Sequence, residues 1–292
     1  TVSDNRNGTY TATLTADTTS GTATLSGTVN TLPITEAATV TFTPGAASGA
    51  TTTIAATPSA ITADGAATAT VTVTVRDAHG NLRTAGGDTV ALITTLGTLS
   101  TVSDNRNGTY TATLTADTTS GTATLSGTVN TLPITEAATV TFTPGAASAS
   151  QTTATVPDGT AGQLTTITVQ ARDEFGNDLT LGGDIVVVMI TGTNPDTLSA
   201  TDNDDGTYTA NYTPSLPGID AITITLNGRE ISGNPYTSTV APADDAMTTT
   251  DHTLTLTAAA TAPVRRAVLR QPSPSATTPQ LTGGNATYWW ER

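Results

Sequence analysis

The stretch ATVTVTVRDAHGN, residues 69–81, decides the fold class. Its three valines alternate with threonines, and this period of two places the valines on one face of an extended strand. Threonine favours the extended backbone and solvates the opposite face without charge. The strand ends at Arg76-Asp77 and leads into Gly80-Asn81, which are turn-forming residues. One buried face and one solvated face are typical of antiparallel sheets.

The same alternation recurs along the chain. It is found in Tyr110, Ala112 and Leu114, in Val140 and Phe142, in Ile167, Val169 and Ala171, and in Ile222, Ile224 and Leu226. The apolar run from Ile185 to Ile190 predicts a strand covered on both faces, and Asn227-Gly228 predicts a two-residue hairpin turn. Short strands with regular turns predict an all-β fold of tandem immunoglobulin-like β-sandwiches in an extended array.

The chain contains a perfect internal repeat. Residues 1–48 are identical, letter for letter, to residues 101–148. The period corresponds to one domain of roughly 100 residues. Folding constraints cannot produce identity at solvent-facing positions, so the repeat indicates recent duplication or recombination within a longer array, of which this chain is a fragment.

The repeat sets the predicted domain limits. Residues 49–148 form one complete unit, and residues 1–48 form the C-terminal half of a truncated preceding unit. A diverged third unit spans residues 149–242, and residues 243–292 are the start of a further repeat or a disordered tail. The third unit is recognised by motifs that return in it: Arg76-Asp77, Gly80-Asn81 and Gly86-Gly87-Asp88 return as Arg172-Asp173, Gly176-Asn177 and Gly182-Gly183-Asp184.

A half unit has no partner for its inner face. We therefore expect Val29, Val40 and Phe42 to be exposed and the edges of their strands to be unpaired. The tail also departs from the pattern, since residues 263–292 hold both tryptophans, Trp289 and Trp290. A disordered tail, a sequence that has left the repeat's reading frame and an aromatic binding epitope remain the alternatives there.

Composition excludes several classes of function. The ten basic residues are all arginine, and 24 acidic residues give a net charge of −14, which repels nucleic acid and anionic membranes. The absence of cysteine excludes thiol catalysis, zinc–thiolate sites and disulfides. No apolar run approaches the roughly 20 residues that span a bilayer, so we expect no membrane insertion within this segment.

Two known families share these motifs. Residues 49–148 resemble the bacterial Ig-like domain of the invasin/intimin adhesins, and residues 149–242 resemble a filamin-type repeat. The first resemblance depends on Val75-Arg76-Asp77, Gly80-Asn81 and Gly87-Asp88-Thr89-Val90, and the second on residues 202–208, 212–214, 217–218 and 231–236. The resemblance implies a secreted protein at the bacterial cell surface that takes part in cell adhesion. Surface attachment and a tip domain follow from the family rather than from residues of this chain.

Neither histidine predicts catalysis. A serine-type triad needs a histidine beside a nucleophile and an acid. His79 occupies a turn position that is Phe175 in the third unit, which indicates a turn-packing residue, and His252 has no evident partners. We therefore predict a protein that is not an enzyme, with no catalytic and no cofactor-binding residues.

One acidic cluster is the best candidate for a metal site. Asp202, Asp204 and Asp205 could bind calcium through carboxylate oxygens. However, no glutamate closes the loop, and the preceding unit has Arg106 and Asn107 at the last two positions. A solvated turn is the favoured interpretation, and no metal is assigned. Two acidic residues in the next linker could complete an interdomain calcium site: Asp244 and Asp245.

Two tyrosines lie at equivalent positions of the two complete units. Tyr110 and Tyr208 open strands after an Asp-Asn-x-x-Gly-Thr turn, which predicts a tyrosine corner that bonds to the turn's backbone. An exposed ligand-stacking tyrosine is the alternative.

Four asparagines fit the glycosylation pattern and are interpreted as turn and strand positions: Asn7, Asn107, Asn211 and Asn285.

The predicted function is that of a structural stalk in a secreted bacterial adhesin. Its partners are the neighbouring Ig-like repeats, together with a host or matrix surface contacted through a tip domain outside this chain. Three alternatives remain: a ligand-binding Ig-like module, an accessory array of a large extracellular enzyme, and a cytoplasmic filamin-like scaffold. An exposed aromatic patch would favour the first, and an aromatic content of 4% argues against it.

Overall fold

A computed structural model describes residues 1–243, 281–283 and 286–288. All regular structure in the described residues is β-strand. The chain divides into two units, Thr1–Pro242 and Ala243–Arg292.

The first 48 residues form three separate pairs of antiparallel strands. They are Ser3–Asp4 (β1) with Tyr10–Thr11 (β2), Gly21–Leu25 (β3) with Ala38–Phe42 (β6), and Thr28–Val29 (β4) with Leu32–Pro33 (β5).

The next ten strands form two five-stranded sheets. The strands are Thr53–Thr57 (β7), Ala60–Thr62 (β8), Thr68–Thr74 (β9), Val90–Thr94 (β10), Thr98–Leu99 (β11), Ser103–Asp104 (β12), Thr109–Thr115 (β13), Gly121–Val129 (β14), Leu132–Pro133 (β15) and Ala138–Thr143 (β16). One sheet has the order β11-β13-β9-β7, with β12 on β13, and the other has the order β10-β14-β16-β8, with β15 on β14. The valines of β9 and the leucine of β14 meet in one core, as expected for a sandwich.

The following ten strands form a second sandwich. The strands are Thr153–Thr155 (β17), Gly159–Thr160 (β18), Thr165–Gln170 (β19), Val186–Gly192 (β20), Asp196–Ser199 (β21), Thr201–Asp202 (β22), Thr207–Tyr212 (β23), Gly218–Leu226 (β24), Arg229–Glu230 (β25) and Tyr236–Ala241 (β26). The sheet orders are β17-β19-β23-β22 and β18-β26-β24-β20-β21, with β25 on β24. In both sandwiches one short strand pairs in parallel with the last long one, β8 with β16 and β18 with β26.

Identical sequence has different burial in residues 1–48 and 101–148. Tyr110 is 2% exposed, whereas its copy Tyr10 is 61% exposed. The difference arises because strands of residues 49–100 cover only the second copy. Val29 and Val40 are exposed, as expected, but Phe42 is only partly exposed because it lies in a cleft that faces the next sandwich.

Two predictions about the third unit have opposite outcomes. The run Ile185–Ile190 is not covered on both faces, because β20 alternates and Met189 is 45% exposed on an outer face with no layer above it. The hairpin at Asn227-Gly228 is confirmed. Both residues have positive φ, 51° and 77°, as a type I′ turn requires, and Leu226 pairs with Arg229.

In the unit Ala243–Arg292, Leu281–Gly283 (β27) pairs in antiparallel fashion with Ala286–Tyr288 (β28). Among the described residues of the chain, no helix has the length and apolar character to cross a membrane.

Candidate functional site: the joint between successive domains

A buried aspartate lies three residues after the end of strand β9 and bonds to the preceding segment. Asp77 is 2% exposed. Its Oδ1 accepts hydrogen bonds from the backbone N–H groups of His79 and Asn81, both at 2.9 Å. Its Oδ2 accepts from Asn81 Nδ2 and from the backbone N–H of Gly45, both at 2.8 Å. One carboxylate therefore closes its own turn and holds the chain that precedes it.

Asn81 extends this contact to a second loop of the preceding segment. Its Nδ2 donates to the backbone carbonyl of Thr18 at 2.8 Å, and its Oδ1 accepts from the backbone N–H of Ser20 at 2.9 Å. An asparagine amide can donate and accept at once, so this side chain satisfies both groups of one loop. We name residues 76–81 the anchor turn, and residues 16–20 the receiving loop.

The same joint occurs a second time. The second anchor turn is residues 172–177, and the second receiving loop is residues 116–120. Asp173 Oδ2 accepts from Gly145 N at 3.0 Å, and Asn177 contacts the carbonyl of Thr118 and the N–H of Ser120, both at 2.8 Å. The equivalent bonds at the glycine are similarly close, at 2.8 Å in the first joint and 3.0 Å in the second. Two joints with different residues between Asp and Asn thus share one geometry.

Backbone pairing completes each joint. Ala47 pairs in antiparallel fashion with Asp77, and Ala147 does so with Asp173. The next residue in each linker donates its N–H to the arginine carbonyl of the anchor turn: Ser48 to Arg76 at 2.8 Å, and Ser148 to Arg172 at 2.6 Å. The linker is therefore part of the sheet hydrogen bonding, which restricts its rotation.

The first joint has one contact that the second lacks. Arg83 Nη1 donates to the carbonyl of Gly45 at 2.8 Å, and its Nε forms an ion pair with Asp88 at 3.1 Å. In the third unit Leu179 takes the place of Arg83. Its N–H bonds to the carbonyl of Ala171, as that of Arg83 bonds to Val75, but its side chain has no donor for the linker.

Hydrogen bonding keeps both aspartates ionised. The Asn81 side chain and the Gly45 N–H lower the pKa of Asp77 well below its ordinary value, against the opposing effect of burial. Burial raises the pKa of Asp173, but the bonds from Asn177 and Gly145 outweigh it and the net shift is downward. A carboxylate that accepts several N–H bonds is stabilised in its charged form.

Tyr110 and Tyr208 each form a tyrosine corner, but the hydroxyl bonds to a different backbone group from the one expected. Each hydroxyl accepts from the backbone N–H of the aspartate in the Gly-Gly-Asp segment, more than 20 residues upstream, and not from its own turn. The bonds are Asp88 to Tyr110 at 2.9 Å and Asp184 to Tyr208 at 3.0 Å. The reason is that Asp104 in the turn accepts from the Gly87 N–H at 2.8 Å and holds that segment over the strand. Both tyrosines are buried, so the ligand-stacking alternative is wrong.

The side chain of His79 is exposed and does not pack in the turn as expected. Its equivalent, Phe175, is 45% exposed. What the two positions share is the backbone N–H, which donates to Asp77 and to Asp173 respectively. His252 lies outside the described residues.

The acidic cluster forms a turn. Asp202 accepts from the N–H groups of Gly183 and Asp204, at 2.7 and 2.9 Å, and Asp205 accepts from Thr207 N at 2.9 Å. Asn107 makes the equivalent bond in the preceding unit. Across residues 1–243, no group of three or more histidine or acidic side chains is placed to hold a metal ion. Asp244 and Asp245 lie outside the described residues.

The glycosylation-pattern asparagines take turn and strand positions where they are described. Asn7 and Asn107 lie in exposed turns, and Asn211 lies in β23, where it accepts from the Thr166 hydroxyl at 2.8 Å. Asn285, Trp289 and Trp290 lie outside the described residues.

The joint was not predicted from the sequence. The pattern Arg-Asp-x-x-Gly-Asn predicts a turn, which the structure confirms, but it does not predict the contacts of that turn to the preceding segment. The available signal was that Asp and Asn return while the residues between them change from Ala78-His79 to Glu174-Phe175.

Two solved structures with similar folds are those of bacterial proteins. Yersinia pseudotuberculosis InvD is 35% identical, with a TM-score of 0.51, over 70% of this chain and 61% of that chain. Invasin, described as a bacterial integrin-binding protein, is 25% identical, with a TM-score of 0.51, over 76% of this chain and 46% of that chain. The matches thus span less than two thirds of either protein.

Curated proteins match over a shorter stretch. The E3 ubiquitin-protein ligase TRIM45 of Bos taurus is 34% identical over 82 residues, which is 27% of this chain and 14% of that protein. Residues 1–45 and 48–145 match the family model of invasin domain 3, and residues 144–237 match that of the filamin/ABP280 repeat. These matches, the two β-sandwiches and the likeness to invasin show a tandem of immunoglobulin-like domains, which is similar to invasin domain 3 over residues 1–45 and 48–145 and to the filamin/ABP280 repeat over residues 144–237.

Proposed function

We propose that this chain is a non-catalytic spacer of a bacterial surface adhesin, located outside the cell, in which the joints fix the direction of the array. The family matches and the likeness to InvD and invasin support the adhesin part of the proposal. Invasin is described as integrin-binding, which supports a host surface as the partner of the whole adhesin. In this proposal the host contact belongs to a tip domain, and the described domains supply distance.

The repeated joint is the observation that supports a spacer. A flexible linker leaves its backbone groups to water, but at both joints the anchor turn is hydrogen-bonded to the linker and to the receiving loop. Each such bond contributes about 0.5–1.5 kcal/mol net. Several of them act together at each joint, so the sum is large enough to favour one relative orientation of the two domains.

With fixed joints, the length of the array increases in proportion to the number of domains. A strand of about ten residues spans roughly 33 Å, so each added domain lengthens a rigid array by about that amount. An array with flexible joints instead lengthens approximately as the square root of the number of segments. The net charge of −14, with no lysine, adds repulsion along the chain and keeps it away from anionic surfaces.

The growth of length with repeat number tests this function. Full-chain variants would carry one and two extra copies of residues 49–148 after Ser148, and small-angle X-ray scattering would give the maximum dimension of each. The proposal predicts equal increments of about 33 Å or more per copy. A matched series with Asn81→Ala in each added copy should grow less. Square-root growth in the unmodified series would contradict a rigid spacer.

The same variants separate the spacer from a ligand-binding module. Binding to integrin-bearing cultured cells would be measured for the chain with zero, one and two added copies. A spacer without its tip shows no binding above background in all three. Binding that rises with copy number would favour the ligand-binding module.

A further inference from the structure

The two ends of a domain have different roles in the joint. The following domain supplies the anchor turn through Asp and Asn side chains, and the preceding domain supplies only backbone groups. In the second joint these groups are the carbonyl of Thr118 and the N–H groups of Ser120 and Gly145. The joint is therefore directional, and the receiving loop determines which domain can follow.

One receiving loop accepts two different partners. Residues 1–48 and 101–148 are identical, yet the first receives an invasin-type domain and the second a filamin-type domain. The bonds are the same in both, from Asn81 to Thr18 and from Asn177 to Thr118, at 2.8 Å. Acceptance thus depends on the shared Asp and Asn rather than on the rest of the incoming domain.

The corresponding loop of the third domain, residues 214–217, is one residue shorter and lacks a required donor. Ser120 precedes Gly121, which opens β14 with φ 155°, and Pro217 precedes Gly218, which opens β24 with φ 153°. Proline has no backbone N–H, so Pro217 cannot donate to an incoming asparagine.

Three other backbone groups of that loop are already bonded to one asparagine within the domain. Asn194 Oδ1 accepts from the N–H groups of Ser215 and Leu216, both at 2.9 Å, and its Nδ2 donates to the carbonyl of Leu216 at 2.9 Å. The fully buried Asp220 fixes this asparagine by accepting from its backbone N–H at 2.8 Å and from its Nδ2 at 2.9 Å. In residues 49–148 the position of Asp220 is Ala123, so that domain has no equivalent network.

We propose that the receiving loop is a selective docking surface. The end of residues 49–148 accepts any domain that carries the Asp-x-x-x-Asn anchor turn, including a second copy of itself. The end of residues 149–242 does not accept such a domain, so the uniform joint stops there. The biological meaning of this rule rests on the proposed spacer function, but its test does not.

The first test transfers the proline into a working joint. The chain has no cysteine, so spin labels at Thr113→Cys and Thr168→Cys report the distance across the second joint by pulsed dipolar spectroscopy. Ser120→Pro removes the N–H, whereas Ser120→Ala keeps it. We expect one narrow distance for the unchanged chain and for Ser120→Ala, and a distribution at least twofold wider for Ser120→Pro. Equal widths in Ser120→Pro and Ser120→Ala would overturn the proposal.

A second variant tests the same bond without changing the receiving loop, so the test does not depend on the folding of Ser120→Pro. Asn177→Ala removes the acceptor of the Ser120 N–H, and we expect the same widening of the distance distribution. A narrow distance in a folded Asn177→Ala protein would also overturn the proposal.

The second test offers a competent anchor turn to the third domain. A copy of residues 45–148 inserted after Pro242 preserves the linker spacing, because Pro44 and Pro242 are equivalent. Labels at Thr168→Cys and at the copy's position 70 span the new joint. We expect a distribution at least twofold wider than at the second joint of the unchanged chain. If the second joint is narrow and the new joint is equally narrow, the selectivity is wrong but the spacer stands. If the second joint itself is broad, the spacer function fails.

Discussion

The Nδ2 atom of Asn177 donates to the backbone carbonyl of Thr118 over 2.8 Å, across 59 residues of sequence. Asn81 makes the same bond to Thr18 at 2.8 Å across 63 residues. Both acceptors are backbone atoms, so a change of side chain in the receiving loop leaves the contact available. The joint is therefore sensitive to the Asn and tolerant of side-chain changes in the loop that it contacts.

Replacing Asn177 by alanine should destabilise the joint. The substitution removes the bonds to Thr118 and Ser120 and takes one donor from the buried Asp173 carboxylate. We expect the free energy of unfolding of the third domain to fall by about 1–3 kcal/mol in urea titrations. Thr118→Ala is the control, because its carbonyl remains. Loss of similar size in Thr118→Ala would argue against a backbone contact.

Acid should weaken both joints. The folded-state pKa values of Asp77 and Asp173 lie below that of an unfolded aspartate, about 3.9. The unfolded chain therefore binds more protons in acid, and stability that is complete above about pH 5 declines as the pH falls through 4 and below.

Substitution at the two aspartates separates this effect from general acid unfolding. In thermal scans between pH 7 and 3, a variant with Asp77→Asn and Asp173→Asn should lose less stability on acidification than the unchanged chain. Glu136→Gln, an exposed change outside the joints, should keep the original slope. A double variant with an unchanged pH profile would show that the joint carboxylates do not set it.

The repeat provides a matched pair for the tyrosine corner. Tyr110→Phe leaves the partly buried N–H of Asp88 without its acceptor, which should cost about 1–3 kcal/mol. Tyr10→Phe, in identical local sequence, should have no measurable effect because Tyr10 is 61% exposed. The comparison uses the melting temperature of each single variant. Equal shifts in both would mean that the first copy is folded like the second.

Deletion should show where the first sandwich begins. The sequence predicts a limit between residues 48 and 49, but Ala47 is buried in the core of the following sandwich and the Ser48 carbonyl accepts from Thr52 Oγ1 at 2.7 Å. The protein without residues 1–48 should be less stable than the protein without residues 1–44 by about 1 kcal/mol or more, because only the longer deletion also removes Ala47 and the Ser48 carbonyl. Equal stability of the two truncated proteins would return the limit to residue 49.

The alternation of valine and threonine was sufficient to predict the strands, because a period of two depends only on the local chain. The turn at Asn227-Gly228 was predicted for the same reason. The run Ile185–Ile190 was misjudged, because hydrophobicity alone does not reveal whether a second layer covers the strand. The joint could not be predicted from residue types, because its acceptors are backbone groups of Thr18 and Thr118 that any residue would supply.

In the proposed spacer, the joints fix the orientation of successive domains. Residual dipolar couplings of the full chain, measured in one alignment medium, give separate alignment tensors for residues 49–148 and 149–242. Fixed joints should give tensors of equal magnitude and a relative domain orientation that is unchanged in a second medium, and Asn177→Ala should make the two magnitudes differ. Tensors of clearly different magnitude in the unchanged chain would show that the two domains reorient independently and that the joints do not fix them.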